Sequence, residues 1–155
     1  MKKMRIFYKI LLTVFTISLF HTSLSTQWVQ QPLPVNKPIT GIKFINSQTG
    51  WACTSRGTPA DTGYVIATTN SGTNWFVQIS AYNNAFTDIN ALDNLTCFAS
   101  AYDAVINRDK IYKTSDGGQN WTIITMVPNM GIDDMQFLNK DSAWECGTSV
   151  GPDVR

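Results

Sequence analysis

Histidine, glutamate and cysteine are scarce in this chain of 155 residues, and their scarcity excludes several kinds of site. The one histidine is His21, the one glutamate is Glu145, and the three cysteines are Cys53, Cys97 and Cys146. Zinc sites take closely spaced Cys and His ligands, and the chain has neither a Cys-x-x-Cys pair nor a His cluster. We therefore expect no metal ion and no cofactor.

Basic clusters are also lacking once the N-terminal segment is set aside. The chain holds 12 Lys and Arg against 11 Asp and Glu, and four of the basic residues but none of the acidic ones fall within residues 1–25. The remainder has 8 basic and 11 acidic residues, a net charge of −3. A mildly acidic chain without a basic patch has no electrostatic reason to bind nucleic acid.

Long apolar runs are absent apart from residues 10–20. That run follows a basic start at Lys2, Lys3, Arg5 and Lys9 and precedes a short polar stretch with small residues. This order predicts a signal peptide over residues 1–25 and a secreted, periplasmic or cell-surface protein. A short membrane anchor is the alternative, but 11 apolar residues are fewer than the roughly 20 that a span needs. We expect no membrane span after cleavage.

The tryptophans lie on two interleaved ladders of constant spacing. Trp28, Trp75 and Trp121 are separated by 47 and 46 residues, and so are Trp51, Phe98 and Trp144, which puts every tryptophan on one ladder or the other. A fixed period of this length is typical of a repeat architecture. The sequence therefore says more about shape than about chemistry.

Each repeat contains short segments rich in β-branched and aromatic residues, bounded by Gly, Asn, Asp or Ser. Such segments predict strands, and no 3.6-residue apolar stripe follows the signal peptide. We predict an all-β fold of β-propeller blades with about four antiparallel strands each. The predicted units are a partial propeller over 27–155, with an outer clasp strand at 27–31, blades at 39–79 and 86–125, and an incomplete blade at 132–155.

Two matching turns separate the third and fourth predicted strands of the two complete units. Both have the pattern Thr-x-(Asn/Asp)-x-Gly-x-Asn-Trp, in which an Asx side chain caps backbone amides and a glycine supplies positive φ. We predict a structural role for their residues, which are Thr68, Asn70, Gly72, Trp75, Thr114, Asp116, Gly118 and Trp121.

This pattern resembles the Asp-box, or BNR repeat, of sialidase-like propellers. Thr114, Asp116, Gly118 and Trp121 match the family form, whereas Asn70 replaces the aspartate in the first copy. The wider unit, with Gly50 before Trp51, looks most like the photosystem II stability and assembly factor branch of secreted bacterial proteins. The resemblance covers residues 27–150. It implies a propeller, and the chain holds too few repeats to close one.

We therefore expect a truncated propeller, and oligomers or aggregates if the 155 residues are made alone. Closure by several copies, a short open solenoid and a shortened gene are the alternatives. The cysteines fit this picture, because Cys53 and Cys146 are two full periods apart and Cys97 is out of phase with them. We predict three buried cysteines without disulfides, since bridged Cα atoms must lie within about 7 Å.

Few residues are candidates for catalysis. Asp133 and Asp134 are the one adjacent acidic pair, and we interpret them as a solvated strand start rather than a catalytic or calcium-binding pair. Asp103 and Asp109 flank a loop that we interpret as a polar blade edge rather than a ligand loop. Asp116 is interpreted as holding its turn.

Three functions remain open at this stage. The first is a non-enzymatic extracytoplasmic binding or scaffold propeller with an unknown protein or glycan partner. The second is a carbohydrate-active enzyme, sialidase-like or endo-glucanase-like, whose catalytic residues lie in missing blades. The third is a passive propeller module of a larger surface protein. The chain lacks a paired-carboxylate or arginine set for glycoside hydrolysis, so we expect no enzymatic activity.

Overall fold

The computed structural model describes residues 28–58, 60–127 and 130–149. The predicted signal peptide, Gln27 and residues 150–155 lie outside the described residues. The chain divides into two compact units, residues 1–30 and 31–155. All of the described strands belong to the second unit.

Ten strands follow one another along the described part of the second unit. The first four are β1 (Ile39–Phe44), β2 (Gly50–Thr54), β3 (Thr62–Thr68) and β4 (Phe76–Tyr82). The next four are β5 (Asn84–Ala91), β6 (Cys97–Asp103), β7 (Arg108–Thr114) and β8 (Thr122–Val127). The last two described strands are β9 (Met130–Asn139) and β10 (Ser142–Ser149).

The strands form three antiparallel sheets in simple up-and-down order. The first blade has the order β1-β2-β3-β4, the second blade has the order β5-β6-β7-β8, and the third sheet pairs β9 with β10. No helix is assigned in the described ranges. The predicted all-β class with four-strand units is therefore confirmed. Residues 28–31 belong to no strand, so the clasp strand predicted over 27–31 is not formed in the part of it that is described.

Strand pairing extends each unit slightly beyond the predicted bounds. Asn84 already pairs with Asp103, two residues before the predicted start of the second blade at 86. Likewise β9 begins at Met130 rather than at 132. For the second blade the reason is local. Asn83 adopts a left-handed φ of 60°, which reverses the chain within one residue and lets β5 begin at Asn84.

The sheets pack face to face around two apolar clusters. The first cluster lies between the two blades and includes Trp51 and Cys53 from the first, with Ile89 and Cys97 from the second. The second cluster joins the second blade to the third sheet through five residues, which are Phe98, Ile111, Ile132, Met135 and Phe137. Burial of these side chains is the main source of stability for repeats that stack on their neighbours.

The cysteine prediction is partly wrong. Cys53 and Cys97 are buried and unpaired, as predicted, but Cys146 is exposed. Cys146 lies on the face of the third sheet that corresponds to the Cys53 face of the first blade. No described strand covers that face. Burial raises the pKa of the Cys53 thiol to about 12, so this thiol stays protonated and unreactive at neutral pH.

Candidate functional site

The two predicted turn motifs have the same hydrogen-bonded geometry. In the first turn the Thr68 hydroxyl donates to Asn70 Oδ1 at 3.0 Å and accepts the Gly72 amide at 3.0 Å. Asn70 Oδ1 also accepts the amide of Asn74 at 2.9 Å. Gly72 has a φ of 83°, which a side chain would disfavour.

The second turn repeats these bonds with a carboxylate in place of the amide. Thr114 donates to Asp116 Oδ1 at 2.8 Å, and that oxygen accepts the Asn120 amide at 2.9 Å. The Asn120 side chain adds a bond to Asp116 Oδ2 at 2.7 Å. The backbone and side-chain donors of Asn120, together with Thr114, lower the pKa of Asp116 to about 2. All of its described partners lie within its own turn.

Three more turns share a pattern that the sequence analysis missed. Asn46, Asp93 and Asn139 each accept backbone amides from residues two or three positions ahead. They are spaced 47 and 46 residues apart, on the same period as the tryptophans. That spacing was visible in the sequence and would have located the first hairpin of each unit.

These turns gather at one end of the blades. The Ser71 amide donates to the Gln48 carbonyl at 2.9 Å, and the matching Gly117 amide donates to Leu95 at 3.0 Å. Between the blades, Gln78 connects the Trp51 indole at 3.0 Å to the Gly117 carbonyl at 2.9 Å. We call this end the turn end, because hydrogen-bonded turns occupy it.

The opposite end carries the other described connections between strands, and we call it the loop face. It consists of the β2–β3 connection (residues 55–58, 60 and 61), Asn83 and the β6–β7 turn (residues 104–107). The Asn83 carbonyl accepts the Ala104 amide at 3.0 Å and Arg56 Nη1 at 3.2 Å. The Arg56 guanidinium also lies over the Tyr102 ring, 5.3 Å from its centroid, a favourable cation–π distance.

Charged groups at and around the loop face form two ion pairs. Lys37 pairs with Asp61. This ion pair, together with a hydrogen bond from the Thr62 amide, lowers the pKa of Asp61. Lys110 pairs with Asp103 near the β6–β7 turn. Burial opposes ionisation of Asp103, but Lys110 and the Val105 amide outweigh it and lower the Asp103 pKa. At the tip of that turn, the apolar side chains of Val105 and Ile106 are exposed.

The structure separates Asp103 and Asp109, which were predicted to flank one longer loop. The connection is a tight turn of residues 104–107, and Asp103 Oδ1 caps it by accepting the Val105 amide at 2.8 Å. Asp109 lies within β7 and is buried, and its Oδ2 accepts the Ile132 amide of the third sheet. Burial, with Asp133 and Glu145 nearby, raises the Asp109 pKa. Asp109 therefore connects the second blade to the third sheet.

Asp133 and Asp134 lie in the middle of β9 rather than at a strand start, since the strand begins at Met130. Both side chains are exposed. Asp88 lies beside Asp134, and its Oδ2 accepts the Met135 amide at 3.0 Å. Burial and the neighbouring Asp134 raise the Asp88 pKa, against the lowering effect of the Met135 and Ile89 amides.

A cavity of about 280 Å³ opens between the second blade and the third sheet. Its lining residues are Ile111, Met135, Phe137, Ala143, Trp144 and Glu145. At the contact between the two blades, Tyr112 on β7 and Trp121, which precedes β8, pack against the first apolar cluster. The third sheet has two described strands against the four of the second blade. The cavity is therefore a gap between these two sheets.

Within the described ranges, no three Asp, Glu, His or Cys side chains gather as a metal site would require. A search of the same ranges finds no helix with the length and apolar character of a membrane span.

Comparison with known proteins identifies the architecture. No protein-family model matches the chain, and no curated protein matches it. Among solved structures, YCF48 bound to D1 peptide is similar, with a TM-score of 0.57 and 21% sequence identity. The match covers 75% of this chain and 36% of that one, so this chain spans well under half of its length.

The chain is all-β, and its four-stranded antiparallel sheets are β-propeller blades. The similarity to YCF48 shows the propeller fold at this level of identity. Six of the eight residues of the two turn motifs, Thr68, Asn70, Gly72, Thr114, Asp116 and Gly118, form hydrogen bonds within their own turns.

Proposed function

We propose that this chain is an extracytoplasmic, non-enzymatic binding or scaffold propeller of the Asp-box, assembly-factor-like type. The observation that carries the proposal is its blade architecture, which is similar to that of a propeller solved with a bound peptide. The signal peptide predicted over residues 1–25 supports an extracytoplasmic location. The two Asp-box-like turns support the assignment to this type of repeat.

The loop face is the surface that we propose for the partner. Connections between strands carry function more often than the strands do, because a rigid scaffold positions them. Here Arg56 and the backbone of Asn83 hold the connections in place, while Val105 and Ile106 are exposed at the tip of the β6–β7 turn. Apolar tips beside a guanidinium suit a peptide segment with mixed apolar and polar side chains.

The described acidic residues support binding over hydrolysis. Glycosidases hold two carboxyl groups about 5–9.5 Å apart across the sugar. Asp88 Oδ2 accepts the Met135 amide of the third sheet at 3.0 Å. Asp109 is buried against the Ile132 amide. These contacts suit carboxylates that join neighbouring sheets.

Selection from a phage-displayed library of random peptides tests the proposal. Enriched peptides, and the D1 peptide as a further probe, would be titrated against the secreted chain by calorimetry. The double variant Arg56→Ala and Ile106→Asp changes the loop face, and Gln48→Ala at the turn end is the control. We expect the loop-face variant to bind about tenfold or more weakly and the control to bind normally. Failure to enrich any peptide, or equal loss in both variants, would refute the loop face as the site.

A carbohydrate-active enzyme is the second candidate, and the resemblance of the two turn motifs to the Asp-box of sialidase-like propellers is the observation that favours it. A panel of fluorogenic glycosides tests it directly. We expect no hydrolysis above the blank. Turnover that disappears in Asp88→Asn would instead support the enzyme. A passive module of a larger surface protein would bind no peptide and turn over no glycoside.

A further inference from the structure

Two aspartates of the second blade bind the backbone of the third sheet. Asp88 on β5 accepts the Met135 amide at 3.0 Å, and Asp109 on β7 accepts the Ile132 amide. Both amides belong to β9. The second blade therefore holds this strand at two points through groups whose charge depends on pH.

Neutral side chains make the corresponding bonds between the first and second blades. The Thr40 hydroxyl donates to the Phe86 carbonyl at 2.9 Å, and the Gln78 amide donates to the Gly117 carbonyl at 2.9 Å. Hydroxyl and amide groups do not titrate between acid and neutral pH. The two inter-sheet contacts of the chain therefore differ in how they should respond to pH.

Asp109 is the more deeply buried of the two aspartates. Its side chain is 1% exposed, and its Oδ1 atom has no hydrogen-bond partner among the described residues. Burial raises the pKa of this carboxyl, and Asp133 and Glu145 of the third sheet raise it further, against the Ile132 amide. An ionised carboxyl with an unpartnered buried oxygen is costly. Protonation removes the charge and leaves an oxygen that still accepts the amide.

Asp88 faces a second carboxyl and two thiols. Burial raises its pKa, and Asp134 of the third sheet adds to the effect. Cys53 and Cys97 also lie near it. Burial raises the pKa of both thiols, so they stay protonated at neutral pH and add no charge. The charges that face Asp88 are therefore acidic.

The described basic residues around the contact do not neutralise it. Lys110 pairs with Asp103, and Lys140, the one basic residue within 130–149, pairs with Asp141. Lys113 lies over an aromatic ring of the contact, 5.3 Å from its centroid, and forms an ion pair with neither aspartate. Acidic groups from both sheets therefore repel one another across this contact when they are ionised.

We propose that the contact between the second blade and the third sheet is a pH-sensitive junction, which acid tightens and neutral pH loosens. When Asp88 and Asp109 are protonated, the repulsion falls and the two amide bonds remain. When they ionise, the third sheet separates locally more often while the two blades stay packed. The Phe98 and Phe137 rings stack at 3.6 Å, which holds the junction closed for most of the time at either pH.

The sign follows from the two raised pKa values. A carboxyl whose pKa is higher in the closed junction than in the unfolded chain binds its proton more tightly when the junction is closed. The stabilisation is therefore complete below the ordinary value near 3.8 and is lost as the pH rises through the closed-state pKa. Both partners of the contact lie within the chain, so the junction does not require a further blade.

Hydrogen exchange measured by mass spectrometry tests the proposal on the 155-residue chain in dilute solution. Protection of β9 is compared with that of β3 at about pH 4 and about pH 8, after correction for the intrinsic exchange rate. We expect β9 to lose about threefold or more of its protection at the higher pH, because local opening becomes more frequent. Protection of β3, which lies in the first blade, should change much less.

Two variants separate the two aspartates from other acidic groups. The double variant Asp88→Asn with Asp109→Asn keeps an amide acceptor at both positions but does not titrate, so its β9 protection should be nearly independent of pH. Asp141→Asn is the control, because it removes an exposed carboxylate of the same sheet that pairs with Lys140. This control should keep the pH dependence of the wild type.

Three results would overturn the proposal. One is a wild-type chain in which β9 and β3 respond to pH alike, and another is greater protection of β9 at the higher pH. The third is a double variant that keeps the wild-type pH dependence. Near-UV circular dichroism checks that each variant is folded. If the double variant is not, the single variants Asp88→Asn and Asp109→Asn replace it, and each should remove part of the dependence.

Discussion

The first and second blades have the same strands and nearly the same register, yet they differ in charge at matched positions. Where the first blade has Gly41, Gly63 and Asn70, the second has Asp88, Asp109 and Asp116. The glycines of the first blade let its neighbour approach closely, whereas the carboxylates of the second bind backbone amides. The shared apolar ladder sets the fold, and the variable positions decide how each blade contacts the next.

The largest effect is expected where the two blades are alike. Trp51→Ala and Phe98→Ala each remove a fully buried ring from an inter-sheet cluster, and we expect each to lower the free energy of unfolding by about 3–5 kcal/mol. Denaturant unfolding in dilute solution measures the change. Trp144→Ala is the ladder-matched control and should change unfolding by less than about 0.5 kcal/mol. Equal losses at all three positions would mean that ladder position, rather than burial, sets the cost.

The next prediction tests the close approach in the first blade. A Cβ at Gly63 would lie 2.3 Å from the Asn84 carbonyl oxygen, so Gly63→Ala must push the backbone of β5 away from β3. We expect a loss of about 1–3 kcal/mol in the free energy of unfolding. Gly41→Ala is the milder comparison, because its Cβ would meet neighbours at 3.2 Å. A Gly63→Ala variant that melts at the same temperature as the wild type would show that the two blades are free to separate.

The glycine and carboxylate positions separate what the sequence predicts, which is the fold, from what it does not predict, which is the contacts between sheets. Periodicity of tryptophan and turn residues predicted the all-β class and the four-strand units, because both follow from local patterns. Exposure of Cys146 and the sheet-connecting roles of Asp88 and Asp109 depend on which strand packs against which face. Spacing along the chain carries little information about contacts between sheets. The loop face was missed for the same reason, since Arg56, Asn83 and Tyr102 meet only after folding.

A smaller and pH-dependent effect is expected at Asp109. Its pKa is raised in the folded state by burial, with Asp133 and Glu145 nearby, despite the Ile132 amide. The folded state therefore holds this proton more tightly, so the contribution of Asp109 to stability rises as pH falls through its folded-state pKa and levels off below the unfolded value near 3.8. Asp109→Asn should remove that rise and be at least as stable at neutral pH. Urea unfolding between neutral pH and pH 4 compares the slopes, and an unchanged slope would contradict the assignment.

The smallest effect is expected at the turns, where the two blades differ by one amide and one carboxylate in the same geometry. The pKa of Asp116 is lowered to about 2 by Asn120 and Thr114. Its stabilising contribution is therefore present above the unfolded value of 3.8 and is lost as pH falls towards 2. Asp116→Asn should flatten this acid loss, and Asn70→Asp should add a second one, because Thr68 and the Asn74 amide already surround that position. Acid titration of both variants by circular dichroism makes the measurement. The double swap should restore the wild-type curve if the turns are equivalent, whereas a curve that differs would show that the second turn owes its acid sensitivity to the Asn120 side chain, which donates directly to Asp116.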